Sequence, residues 1–188
     1  MHSPLNIVGI AGSLRAASYS RIVLDSVARL LPAQAEFGAL DIGALPHYNE
    51  DIERDSLPKA VTAARARVHA CDAVLIVTPE FNHGLPGVLK NALDWLSRPA
   101  FTGCMQGKPV FFVTHSPGAL GGVRAQHQLR ETLSSMLCRL VSLPEIAVTH
   151  VGHKVRDQAL SDDATLEFIE KALLRFLDEV DARHVETA

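Results

Sequence analysis

Hydrophobic residues fall along this chain in two alternating rhythms. Residues 6–11 form a short apolar run that breaks at Gly12. Over residues 21–31 the apolar positions Val23, Val27, Leu30 and Leu31 recur at helical spacing, which predicts a helix. A weak strand is expected at 36–40, followed by a polar loop over 41–51. Ser56 and Pro58 mark the start of a helix whose apolar face carries Leu57, Val61, Ala64 and Val68. The unbroken run at 73–78, rich in β-branched residues, suits a central parallel strand covered on both faces. A helix over 87–96, a strand over 109–114, a long helix over 123–140 and a short strand over 146–150 follow. Ser161 then stands ready to cap an amphipathic helix with Leu166, Ile169, Leu173, Phe176 or Leu177, and Val180 on one face.

Five strands alternating with helices predict an α/β three-layer sandwich around a parallel sheet. The 188 residues show no internal repeat, linker or low-complexity segment, so one domain over 1–188 is expected. In strand order 2-1-3-4-5, the loops after strands one, three and four meet at the switch point, where such sheets take their ligands.

Composition narrows the function. Hydrophobic residues make up 47% of the chain, enough for a sizeable core. With 18 basic and 21 acidic side chains, a net charge of −3 and no basic stripe, nucleic acid is not an expected partner. The apolar runs are too short to span a bilayer and the N-terminus lacks a signal-peptide pattern. Cys71, Cys104 and Cys138 are isolated and odd in number, as expected of a reducing, cytoplasmic compartment. Their spacing suits neither a zinc nor an iron–sulfur site, and no metal is expected.

Two stretches carry chemistry. After the first strand, Gly12-Ser13-Leu14-Arg15-Ala16-Ala17-Ser18-Tyr19-Ser20 brings hydroxyls and a guanidinium to a helix N-terminus, where free N–H groups and the helix dipole favour an anion. It is neither a Walker A loop, which ends in Gly-Lys-Ser/Thr, nor a three-glycine dinucleotide fingerprint. A terminal monophosphate wrapped by side chains and N–H groups fits; an ordinary strand-to-helix turn with a serine cap fits as well. The second stretch, from Pro79 to Trp95, is stiffened by Pro79 and Pro86 and loosened at Gly84 and Gly87. A rigid loop of this kind can flank a planar ring, or can simply lead into a helix that buries Trp95.

These segments resemble the NADPH-dependent FMN reductase family. Gly12-Ser13-Leu14-Arg15-x-x-Ser18 is similar to its first signature. The run Pro79-Glu80-Phe81-Asn82-x-x-x-Pro86-Gly87-x-Leu89-Lys90-Asn91-Ala92-x-Asp94-Trp95 is similar to its second. Leu45-Pro46-x-Tyr48-Asn49-x-Asp51 and Gly121-Gly122-x-Arg124-Ala125-Gln126-x-x-Leu129-Arg130 match in register. The pattern is closest to the bacterial chromate and quinone reductases of the family, and it runs from residue 7 to about 140.

The resemblance implies a flavodoxin-like fold that binds FMN and takes NAD(P)H as co-substrate. Ser13, Arg15, Ser18 and Ser20 would hold the phosphate. Pro79, Glu80, Phe81, Asn82 and His83 would line the isoalloxazine ring, with Ser116 and Gly118 of the third loop nearby. Three positions depart from the pattern: Ser20 replaces an asparagine, Phe81 a tyrosine, and His83-Gly84 a Tyr-Ser pair. The flavin would carry the chemistry and no side chain is required as a catalyst, although His83 or Glu80 could relay a proton. The implied acceptors are quinones, with azo dyes, nitroaromatics, flavins or chromate as further candidates. The rival readings are a flavodoxin-type electron carrier, which is usually far more acidic, and a flavin-binding regulator. Family members are commonly dimers or tetramers, and the helices after Pro86 and Gly122 are the expected contacts. His150 and His153 lie close together after the last strand without a further ligand at metal spacing, so a plain loop is expected there.

Overall fold

The computed structural model describes residues 4–186. Strands β1 (Asn6–Ala11), β2 (Glu36–Ala39), β3 (Ala73–Pro79), β4 (Val110–His115) and β5 (Ala147–Val148) form a parallel sheet in the order β2-β1-β3-β4-β5. This is the flavodoxin-like arrangement expected from the sequence. Side chains alternate along each strand and divide the core into two layers. Val8, Ile10, Val74, Ile76, Val110 and Phe112 face α3 (Lys59–Ala70), α4 (Gly87–Leu96) and α5 (Val123–Ser135). Ile7, Leu75, Val77, Phe111 and Val113 face α1 (Tyr19–Ala28) and α7 (Asp163–Glu186). Every residue of β3 is buried, as a central strand covered on both faces requires.

Register sets the site. Val77 of β3 lies beside Ala11 of β1 and Val113 of β4, and Pro79 lies beside His115. Three strands therefore end almost level, and their loops rise from one edge.

The elements differ from the sequence reading where polar groups outweigh periodicity. Helix α1 starts at Tyr19, two residues early, because the Ser18 side chain accepts a hydrogen bond from the Arg21 N–H. A 3-10 turn (Ile42–Ala44) and the short helix α2 (Glu50–Asp55) occupy the expected loop at 41–51 and its far side. Asn49 caps α2, which buries no residue and so leaves no apolar signature. Helix α5 stops at Ser135, well short of 140, and Leu137 follows in the left-handed region at φ 58°. Strand β5 holds two residues only; His150, at φ 48°, turns the chain into α6 (Val151–Lys154) and a small antiparallel pair, β6 (Val155–Arg156) and β7 (Ala159–Leu160). Asp162, not Ser161, caps α7, its Oδ1 accepting from Thr165 N–H at 3.0 Å. Among the described residues, no helix is long and apolar enough to cross a membrane.

Candidate functional site

The first loop touches β3 at its root. Gly12 N–H donates to the Val77 carbonyl at 2.8 Å, and a Cβ on Gly12 would lie 2.3 Å from Thr78 Oγ1. Only glycine permits this approach without displacing β3. Ser13 is half-buried, Arg15 is exposed and Ser18 is buried as the N-cap of α1. Arg15 pairs with no carboxylate among the described residues; its guanidinium rests over the Tyr19 ring at 5.8 Å. An unpaired cation beside a helix N-terminus leaves this corner electropositive. Ser20 behaves differently from its neighbours. It is 0% exposed, and its Oγ lies 2.8 Å from His115 Nε2.

The second loop opens with a tight reversal. Phe81 and Gly84 exchange hydrogen bonds at 2.9 Å in both directions, with Asn82 at φ 48° and His83 at φ 65° between them. Two consecutive positive φ values are the mark of a type I′ turn, and Asn is favoured at its first central position. Phe81, 56% exposed, stands beside the exposed Asn82 and His83. Pro79 is buried at the end of β3.

Helix α5 holds this loop from behind. The Glu80 carboxylate accepts from the backbone N–H groups of Arg124 (2.9 Å) and Ala125 (3.3 Å), with the Arg124 guanidinium 3.6 Å away. Gly122, the residue preceding α5, has no capping side chain of its own, so Glu80 caps the helix from another element. One turn further along, Gln128 Oε1 accepts from Leu85 N–H at 2.6 Å. Glu80 thus fixes the loop, and its carboxylate is already hydrogen-bonded rather than presented as a proton relay.

The third loop is anchored to the last strand. Ser116 N–H donates to Val148, Val151 N–H to the Ser116 carbonyl, and His150 N–H to the Gly118 carbonyl, each at 3.0–3.1 Å. Ser116 Oγ closes on the Gly118 carbonyl at 3.2 Å. Gly121 and Gly122, at φ 61° and 85°, turn the chain into α5 where a Cβ on Gly121 would strike the Ala147 backbone.

The structure thus brings the first-loop, second-loop and third-loop candidates to one edge. It turns the Ser20 hydroxyl and the Glu80 carboxylate toward internal partners. Four contributors had no local signal: His115 beneath α1, Tyr19 beneath Arg15, Gln128 behind the second loop, and Glu80 as a cap. Three of them are defined by a partner many residues away, and Tyr19 by Arg15 one turn before it and by His115.

Other motif residues prove architectural. Asn91 Nδ2 and Trp95 Nε1 both donate to the Pro46 carbonyl (2.9 and 2.7 Å), and Tyr48 N–H donates to Asn91 Oδ1 at 2.7 Å. The second and Leu45-Pro46 motifs are therefore two halves of one tie between α4 and the 45–49 loop. Arg130 lies over Phe112 at 5.2 Å. The His150 and His153 rings stack at 6.1 Å, and no group of three metal-ligating side chains forms among the described residues. Burial pushes the Cys104 and Cys138 thiols up to about 11 and about 12, so neither is a thiolate near neutrality. A cavity of about 350 Å³, lined by Ser13, Leu14, Arg21, Asp25 and Asp41, lies on the β2 side of the first loop, away from the other two loops.

Known proteins share this architecture. The model of the NADPH-dependent FMN reductase family matches residues 5–153. A quinone reductase of Pseudomonas putida is 36% identical over 176 residues, spanning 94% of this chain and 95% of that one. A 2-hydroxy-1,4-benzoquinone reductase from a Burkholderia species is 39% identical over 146 residues, 78% of this chain and 79% of its own. FerB, a flavoenzyme NAD(P)H:(acceptor) oxidoreductase from Paracoccus denitrificans, superimposes with a TM-score of 0.85 at 33% identity, covering 95% of this chain and 98% of its own. The match covers both loop motifs, the sheet order and the edge on which the three loops converge, and the chain belongs to the NADPH-dependent FMN reductase family, whose members are oxidoreductases working with FMN and NAD(P)H.

Proposed function

We propose that this chain binds FMN on the three-loop edge and moves a hydride from NAD(P)H to a quinone or a related small acceptor, with azo, nitro, flavin and chromate compounds as further candidates. The observation that carries the reading is the first loop: an unpaired Arg15 beside the N-terminus of α1, level with an exposed, rigid second loop. The residues fit FMN. Ser18 Oγ accepts from Arg21 N–H and keeps its own proton for an anion, and Gly12 brings the loop against β3 where a side chain would block it. When bound, FMN supplies a two-electron carrier that accepts hydride from a nicotinamide and passes it on.

The chain's own residues position and enclose. Ser13, Arg15 and Ser18 hold the phosphate, with Ser20 behind them. Pro79, Glu80, Phe81, Asn82 and His83 shape the ring site, Phe81 by its apolar face, Asn82 and His83 by groups at the turn, and Glu80 through its backbone and its grip on α5. Ser116 and Gly118 border the site from the third loop. The quinone relatives support the choice of acceptor. Leu14, Phe81 and Leu120, one from each loop, are exposed apolar groups on this edge and support assembly into a dimer or tetramer that covers it. The three cysteines, none in a disulfide, suit work in the cytoplasm.

Anaerobic titration of the FMN-loaded protein with NADPH tests the reading. The flavin absorbance is expected to bleach and to return on adding a quinone; flavin that stays oxidised with both NADPH and NADH defeats it. Arg15→Ala is expected to weaken FMN by roughly 1.5–3 kcal/mol, the worth of a charge-assisted hydrogen bond, in a fluorescence titration. Light scattering checks assembly, and a monomer at working concentration refutes that part.

A further inference from the structure

The Ser20–His115 contact links the first loop to the third strand of the site, 95 residues away in sequence. The hydroxyl at Ser20 stands where the family pattern has an asparagine, and it is wholly buried with its Oγ engaged by His115. Its partner His115, 4% exposed at the end of β4, lies beside Pro79 of β3 on one side and Val148 of β5 on the other. The imidazole does two things at once. Nε2 sits 2.8 Å from Ser20 Oγ, and the ring meets the Tyr19 ring edge-on, with centroids 6.3 Å apart and planes at 84°. Tyr19 in turn lies under the Arg15 guanidinium, and its hydroxyl packs against Gly152, where a Cβ would come within 3.1 Å.

We propose that His115 is a positioning residue for the anion loop: through its hydrogen bond to Ser20 and its ring contact with Tyr19, it sets the first turn of α1 and the Arg15 guanidinium for the phosphate of FMN. The proposal rests on the reading that this loop holds that phosphate. A neutral imidazole suits the task, since a second cation beneath Arg15 would repel it. Burial, and after it the Arg15 charge, holds the His115 pKa down at about 4.

The test compares FMN with riboflavin, which differ by the phosphate, in fluorescence titrations of the apoprotein. His115→Ala and Ser20→Ala are each expected to weaken FMN about tenfold, as one lost hydrogen bond would, with riboflavin affinity unmoved. The double variant is expected to be no weaker than either single one, because the two act as a unit. His115→Gln, whose neutral amide can donate to or accept from Ser20 Oγ in place of Nε2, is expected to restore FMN binding. If His115→Ala does not fold, Ser20→Ala and His115→Gln carry the comparison. Equal losses for FMN and riboflavin would make His115 a scaffold residue only and overturn the proposal. So would unchanged FMN affinity, or a His115→Gln variant as weak as the alanine. Arg15→Ala serves as the separate control: if it leaves the FMN-to-riboflavin ratio unchanged, the phosphate reading of the loop fails, whatever His115 does.

Discussion

The loops after β1 and β3 reach the same edge and treat their polar groups in opposite ways. In the first, Arg15 has no carboxylate partner among the described residues and stands beside the N-terminus of α1, where the Ser18 side chain caps the Arg21 N–H. In the second, Glu80 is tied to two backbone N–H groups of α5, Leu85 to Gln128, and Phe81 to Gly84. A loop that binds a charged group must leave donors unpaired, and it depends on its root and its underside for rigidity. A loop that shapes a flat site can satisfy its own groups and expose ring and backbone. The first loop should therefore be sensitive at its buried supports, and the second at its ties to α5.

The strongest break is expected at the root of the first loop. In Gly12→Val the new Cβ would fall 2.3 Å from Thr78 Oγ1 and 3.1 Å from Thr78 Cα, so β3 or the loop must move. Overpacking at a strand that is buried throughout costs about 3 kcal/mol, and FMN binding should be lost with it. Urea unfolding and an FMN titration check the two effects; a variant as stable as the parent would mean the loop yields freely.

Beneath that loop, His115 makes stability depend on pH. Its folded pKa is about 4 against an ordinary 6.5, so between these values the unfolded chain binds the extra proton and the folded one does not. Stability is expected to be full above pH 6.5 and to fall as pH drops toward 4, by roughly 3 kcal/mol in total. Arg15 is the charged neighbour that lowers it further. His115→Gln should flatten urea-unfolding midpoints across this window. Glu53, its pKa lowered by the hydrogen bonds of Arg65 and Tyr48 although burial opposes them, and Asp162, lowered by Thr165, add their own loss in the carboxylate range, which overlaps this window only at its acid end. An unchanged slope in His115→Gln would place the dependence elsewhere.

The second loop should respond more mildly. Glu80→Gln keeps an acceptor for the N–H groups of Arg124 and Ala125 but removes the charge at the start of α5, a loss of about 1 kcal/mol. Its FMN-to-riboflavin ratio should match the parent's, since the phosphate loop is untouched. A changed ratio would show that the two loops are coupled.

The sequence carried local information well and distant pairing poorly. The β3 run, the α4 face and the Gly12–Ser18 loop were legible because strand burial, helix period and cap chemistry are written in neighbouring residues. The roles of Ser20 and Glu80 were not, because their partners lie 95 and 44–45 residues away and only the sheet register brings them close. Asn91 and Trp95 illustrate the same limit from the other side. They mark the motif clearly, yet their shared acceptor, the Pro46 carbonyl, makes them a structural tie. Helix α2 escaped detection since it buries nothing, and β5 was overextended because His150 leaves the strand through the left-handed region.

The smallest effect is expected at the tip of the second loop, and it is of opposite sign. His83 holds φ 65°, a conformation that disfavours a side chain with a Cβ and that glycine adopts at no steric cost. Asn-Gly is the sequence this turn prefers, so His83→Gly should stabilise the protein by roughly 0.5–1 kcal/mol, the relief of the left-handed conformation outweighing the entropy that glycine adds to the unfolded chain. A more stable variant with a raised KM for NAD(P)H or for the quinone would place His83 among the groups that contact substrate. A more stable variant with unchanged kinetics would reduce it to a tolerated turn residue, and the second loop would then act through its shape and through Phe81 alone.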